Sequence, residues 1–433
     1  MKAVAAGVVL FPTSFLVETI LGGPFGTYGG VNVRFLLLGA SCLVLAFALL
    51  LRGRIAGAHR LPLLALVGFV LLNGLWIAIV PALTSTKVHW ALREPHGFIT
   101  LVLAGLALAV FRQDELAELL PRLQRLVVRV SLVLAVFQVS LWLLGTLMPT
   151  LRWVIPVVLD VAFRGASGQF FVGEIGDGFF RVFWISTLWC LLSFFWLPVA
   201  VTNMRLRRLC QLVLLMDLFV AYSRGIWLGL IAGLVVATVT GVTRANVSRA
   251  LTRVAVGAVA GLLALGAILA ATGALDRGIA RFQSTTSRRD ESIGARVEQA
   301  PFLLALWYEH PLVGSGYGAY SHANVRSQET PYSYEHMPYA LLAKLGLLGV
   351  LGSAIFFAWW GLTAWEVRRR APLQVGSFLG ACVALLVSEM TNPMVLNFVS
   401  MTIFACLLLQ WSALYGLAHH GYLPHATTRS TEA

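Results

Sequence analysis

Charge is scarce in this sequence. Only 12% of its 433 residues are Asp, Glu, Lys or Arg, against about 25% in a soluble domain. That deficit, with 58% hydrophobic residues, excludes an ordinary water-soluble chain. Acidic residues are rarer still, 19 against 32 Lys and Arg. No DxD and no carboxylate pair has a spacing suited to a divalent metal, so no metal site is expected. The five cysteines (Cys42, Cys190, Cys210, Cys382, Cys406) lack CxxC spacing and fall in or beside apolar runs, which makes them small buried hydrophobes. No Walker motif is present, and no ten-residue alternation marks a β-barrel.

Runs of about twenty apolar residues recur along the length instead, the mark of an all-α polytopic membrane protein. Twelve spans are expected, at about 3–21, 31–51, 61–83, 96–111, 127–148, 180–203, 208–222, 225–243, 254–274, 338–360, 372–391 and 394–418. The net charge of +13 resides in short links between them, which explains it by membrane orientation and not by nucleic acid. Arg52/Arg54/Arg60, Arg112/Arg122/Arg125/Arg129, Arg205/Arg207/Arg208, Arg244/Arg249/Arg253 and Arg368/Arg369/Arg370 fall on one side, two spans apart each time. By the positive-inside rule that side, with both termini, is cytoplasmic. Met1-Lys2 and the apolar residues after them read as the first span.

The division that follows is 1–274 as a nine-span scaffold, 275–337 as a periplasmic loop containing helices, 338–418 as three more spans, and 419–433 as a cytoplasmic tail. The loop is the one long polar stretch, and long loops are usually functional. It carries Arg277, Arg281, Arg288, Arg289, Arg296 and Arg326, then Gly314-Ser-Gly-Tyr-Gly318, and it closes on Tyr334-Glu335-His336. Other outward links hold Lys87, His89, Arg93, Glu94 and His96, and the aromatic segment 149–179 with Arg152, Arg164, Glu174 and Asp177, expected to lie in the membrane interface. A site on this outer face of the membrane has no ATP and needs a pre-activated substrate.

Three arginines stand at that level. Arg224 occupies a tight turn, Tyr222-Ser-Arg-Gly-Ile-Trp-Leu-Gly229. It reads either as a side chain snorkelling to headgroups or as an anion ligand at a helix N-terminus capped by Ser223. Arg181, at the outward end of an aromatic span, is an interface anchor or a second anion ligand. Arg296 opens a helix reaching about His310, either as a solvated face near Glu298 or as a third ligand. Arginine stays charged and grips phosphate oxygens in pairs, so together they suit a lipid-linked pyrophosphate. His336, just ahead of an apolar helix, is either interfacial or a general base, with Glu335 to hold the ring or act itself. His322, Glu174 and Asp177 are the other candidate bases. Gly314, Gly316 and Gly318 permit a close backbone approach to a ligand.

Ser223-Arg-Gly-Ile-Trp-Leu, then Arg296 ahead of Trp307-Tyr-Glu-His-Pro-Leu-Val-Gly-Ser-Gly-Tyr-Gly318, then Glu335-His-Met-Pro-Tyr-Ala-Leu-Leu-Ala-Lys-Leu-Gly-Leu-Leu-Gly349, resemble in this order the O-antigen ligase and polymerase superfamily. The resemblance covers about 180–350. Many members carry Asn after the histidine, where this chain has Met337. It implies a GT-C-like membrane glycosyltransferase without cofactor. Its donor would be an undecaprenyl-diphosphate-linked O-antigen, its acceptor the lipid A–core oligosaccharide, and its medium the membrane lipids, as in lipopolysaccharide assembly. Carried over by position, Arg224 and Arg296 would bind the diphosphate and His336 would activate the acceptor hydroxyl; Arg181 joins them by its side and depth. An O-antigen polymerase and a protein O-oligosaccharyltransferase share donor and chemistry and differ in acceptor. A lipid-linked glycan transporter is the rival of another class, but no internal repeat supports it.

Overall fold

The computed structural model describes residues 2–21, 27–28, 31–53, 60–84, 86–162, 170–175, 179–241, 291–325, 327–390 and 396–420. The expected ninth span, the arginines Arg54, Arg164, Arg244, Arg249, Arg253, Arg277, Arg281, Arg288, Arg289 and Arg326, Asp177, and the 421–433 part of the tail lie outside them.

The chain is an all-α polytopic membrane protein with little sheet. Its helices are α1 (Lys2–Ile20), α2 (Val33–Arg52), α3 (Arg60–Gly74), α4 (Val80–Leu83), α5 (Val88–Arg93), α6 (Ile99–Val110), α7 (Gln113–Leu147), α8 (Val154–Ala162), α9 (Thr187–Ala200), α10 (Met204–Val220), α11 (Arg224–Gly241), α12 (Glu291–Glu309), α13 (Met337–Val367), α14 (Pro372–Met390) and α15 (Phe398–His420). Two antiparallel ribbons complete it: β1 (Thr27–Tyr28) with β2 (Val31–Asn32), and β3 (Phe170–Ile175) with β4 (Phe179–Trp184). Among the described residues seven helices are long and apolar enough to cross a membrane, α3 and α4 counting as one through a π-helical turn at Leu75–Ile79.

Two boundaries differ from expectation. Residues 180–184 belong to strand β4, and the sixth apolar helix starts only at Thr187. Alternating bulky aromatics suit a pleated ribbon as well as a span, and Phe171 pairs with Phe183 across it. The second departure is α7, whose 35 residues run about 52 Å. It therefore carries Arg122, Arg125 and Arg129 on helix and not on a link, out past a hydrocarbon core of about 30 Å.

Helices α11 and α14 cross with almost no side chain between them. A Cβ on Gly233 would lie 2.5 Å from the Gly380 carbonyl, one on Gly376 would lie 2.8 Å from the Ala237 carbonyl, and one on Gly229 would strike the Ala384 carbonyl. Glycines four apart on both helices let the backbones meet, which substitutes for the hydrophobic drive that lipid removes. This seam fixes the helix that begins at Arg224.

Helix α13 is broken. Gly346 has φ 61° and ψ −172°, outside the helical region. Leu347 and Leu348 donate their N–H groups to the Pro311 and Leu312 carbonyls at 3.1 and 2.9 Å. Ser315 and Gly316 donate theirs to the Ala343 and Lys344 carbonyls, both at 2.9 Å. An unpaired backbone group in lipid costs several kcal/mol. The segment 311–316 supplies the partners the break removes and is thereby stitched to the helix.

Candidate active site

Helix α12 lies on the N-terminal part of α13. Leu303 of α12 is buried with Tyr334, Met337, Ala340 and Ala343. Arg296 and Gln299, three and four residues apart from one another and from Leu303, share that face. The buried Gln299 accepts the Glu335 N–H at 2.9 Å, and the Arg296 Nε stands 3.8 Å from the Glu335 carboxylate. Arg296, Glu335 and His336 are thus gathered at one place. Gln299 was not singled out from sequence; its spacing from Arg296 on one helix face was the available signal.

His336 is the residue before α13 begins. Its ring stacks on Tyr339, centroids 4.1 Å apart and planes within 12°. Its Nδ1 is buried without a hydrogen-bond partner among the described residues. Burial lowers its pKa below the ordinary imidazole value, and the Arg296 charge pushes the same way. The imidazole is therefore held neutral at pH 7, the form that can take a proton.

A second group forms around the α10–α11 turn. Arg181 Nε on β4 donates to the Ala221 carbonyl at 2.8 Å, three residues before Arg224. Its guanidinium lies over the Phe183 and Phe171 rings at 4.7 and 5.4 Å, contacts that favour a cation. Tyr222 takes φ 48° to make the turn. Trp227 stacks flat on Phe219 at 5.6 Å and donates its indole N–H to the Leu218 carbonyl, bracing the turn from the helix side. Arg224 is the first residue of α11, at the positive end of its dipole, with buried Ser223 just before it. Arg181 and the Arg224 turn are thus brought together, and sequence separation gave no sign of the hydrogen bond that joins them.

The glycine-rich stretch has a different neighbour from the one expected. Gly314, Gly316 and Gly318 all have positive φ. A Cβ on them would strike the Lys344 carbonyl, the Pro81 ring and the Ala91 backbone respectively. Their close approach is to the protein's own backbone. Glu174 is ion-paired with Arg152. His322 is exposed and 4.7 Å from the Tyr320 ring.

Beneath the loop lies a buried ion pair that sequence reading did not assign. Lys344, 1% exposed, pairs with Glu94 and donates to the Tyr332 carbonyl at 2.7 Å. The other Glu94 oxygen accepts the Gly318 N–H at 2.6 Å. Lys344 also faces the Tyr334 ring at 5.5 Å, and the Tyr334 hydroxyl accepts the Ser321 N–H at 2.7 Å. Burial raises the Tyr334 pKa to about 12, so it stays a phenol. The available signal was a lone cation inside an apolar run. These groups line a cavity of about 580 Å³ that also meets His96 and Asn397.

No curated protein matches the chain. Residues 209–353 match the family model described as O-antigen ligase. The matched segment contains Arg224, Arg296, the glycine-rich stretch and His336, and the family supports a glycosyltransferase activity of the O-antigen ligase or polymerase type. With the polytopic helical fold around it, that segment, about a third of the chain, is what this protein shares with the O-antigen ligase family.

Proposed function

We propose that the protein is a metal-independent, inverting glycosyltransferase. It would move O-antigen polysaccharide from undecaprenyl diphosphate to the lipid A–core oligosaccharide at the periplasmic face of the inner membrane, with no cofactor. The observation that carries the reading is the grouping of Arg296, Glu335 and a neutral, buried-edge His336 on one patch of α12 and α13. Arg224 and Arg296, with Arg181 beside the Arg224 turn, hold the diphosphate and stabilise the charge that develops as it leaves, in place of a metal. His336 takes the proton from the acceptor hydroxyl as that oxygen attacks the anomeric carbon from the face opposite the diphosphate. The glycosidic bond to phosphate breaks, the new bond forms with inversion, and undecaprenyl diphosphate departs with the electron pair. The described parts of the loop, 291–325 and 327–337, cover this centre, and the described spans are its scaffold.

The test uses purified protein, undecaprenyl-diphosphate glycan and rough lipopolysaccharide, read as a shifted lipopolysaccharide band. Wild type gives the shifted band, with or without chelator, and Arg224→Ala gives none while remaining folded in the membrane. Activity restored only by Mg²⁺ or Mn²⁺ would overturn the metal-free step, and wild-type transfer by Arg224→Ala would overturn the diphosphate role.

A further inference from the structure

A second cavity, about 870 Å³, lies along α12, between that helix, the Ser315–His322 stretch and Thr84–Lys87. Its wall along the helix is Phe302, Ala305, Leu306 and Glu309, continuing along the helix from Gln299 and Leu303, which pack on α13. From Arg296 the groove begins about 9 Å along the helix and ends about 20 Å along it, at 1.5 Å per residue. Diphosphate bound at Arg296 therefore leaves room for several sugars between the reacting end and the far end of the groove.

The lining has the chemistry of a saccharide site. Ser315 is 3% exposed, and its hydroxyl has no hydrogen-bond partner among the described residues. A buried hydroxyl in that state lacks the bond that such groups nearly always make. Lys87, Glu309, His310 and His322 add donors and acceptors at the rim. Phe302 and Tyr320 give flat apolar surface for the C–H face of a sugar ring. The Thr84 and Thr86 hydroxyls both donate to the Ser315 carbonyl, at 2.8 and 2.9 Å, so the wall is held in place before anything binds.

We propose that this groove binds the sugars of the donor glycan beyond the one that reacts, a hydroxyl-rich saccharide laid along α12; the inference rests on the donor role given to Arg296. Binding there holds the rest of the donor polysaccharide away from the reacting carbon and adds affinity from parts of the substrate that do not react.

The test is protection from labelling. Ala305→Cys and Lys87→Cys each place a thiol on the groove; both positions are exposed, while the five native cysteines are buried or half-buried. Purified protein in nanodiscs is treated with a polar maleimide, and the parent protein gives the background rate. Undecaprenyl-diphosphate glycan at about ten times its Kd slows labelling about tenfold in both variants, as simple occupancy requires. Undecaprenyl diphosphate without sugar leaves the rate unchanged. Equal protection by the sugar-free lipid, protection by rough lipopolysaccharide in place of the donor, or no protection in either variant overturns the proposal. Transfer by the parent protein is assayed in the same preparation. Its absence defeats the glycosyltransferase reading, whereas transfer without protection defeats the groove alone.

Discussion

The surroundings of His336 suit the proton transfer proposed for it. Stacking on Tyr339 and burial of one edge remove water from the ring, and Arg296 adds a like charge, so protonation is penalised twice. The sign follows: a lowered pKa keeps the imidazole neutral to lower pH. As the base in catalysis it gives a kcat/KM profile whose acid limb lies below the ordinary histidine value of about 6.5. A limb at or above that value, measured with the purified protein, removes His336 as the base. His336→Ala abolishes transfer, while His322→Ala, at an exposed position of the groove, retains kcat and changes only KM. The reverse pattern would make His322 the base. The arginines were legible residue by residue, because a charge beside an apolar run is conspicuous. What each one touches was not. The bond from Arg181 to the Ala221 carbonyl spans 40 residues, and the Glu94–Lys344 pair spans 250. Contacts at such separations leave no period or spacing in the chain.

Among the elements, the spans were readable because lipid demands long apolar helices and little else resembles them. The break in α13 was not, since Gly346 sits in Leu345-Gly-Leu-Leu-Gly349, where the two glycines look alike in sequence. Only Gly346 needs positive φ. Gly346→Ala puts a side chain at φ 61° and ψ −172°, a region essentially open to glycine alone, at a cost of about 1–3 kcal/mol, and its methyl also strikes the Gly314 N–H and the Leu312 carbonyl. Thermal unfolding in detergent should show the full loss, and Gly68→Ala, with open space around it, should show little. The hairpin at β3 and β4 escaped notice for a related reason: Phe179-Phe-Arg-Val-Phe-Trp184 has the hydropathy of a span but the pairing of a ribbon.

At the scale of the whole molecule, the Glu94–Lys344 pair joins three distant pieces of chain: the end of α5, the glycine-rich stretch, and the broken helix. Lys344→Met strands a buried carboxylate and costs about 3–5 kcal/mol, as loss of one partner of a buried pair does. Adding Glu94→Leu recovers part of that loss but not all, because the Gly318 N–H is then left without its acceptor. Denaturation of the two variants beside wild type checks the order. Equal stability of Lys344→Met and wild type would show that the pair is not needed to hold the loop down. The break at Gly346 also bears on how the chain is assembled. Residues 311–316 precede 343–348 in the chain, so the strip that completes α13 is synthesised before that helix is. The groups that pair the backbone at the break therefore exist before the break does, and translation order alone gives the helix its partners against the cost of bare carbonyls in lipid.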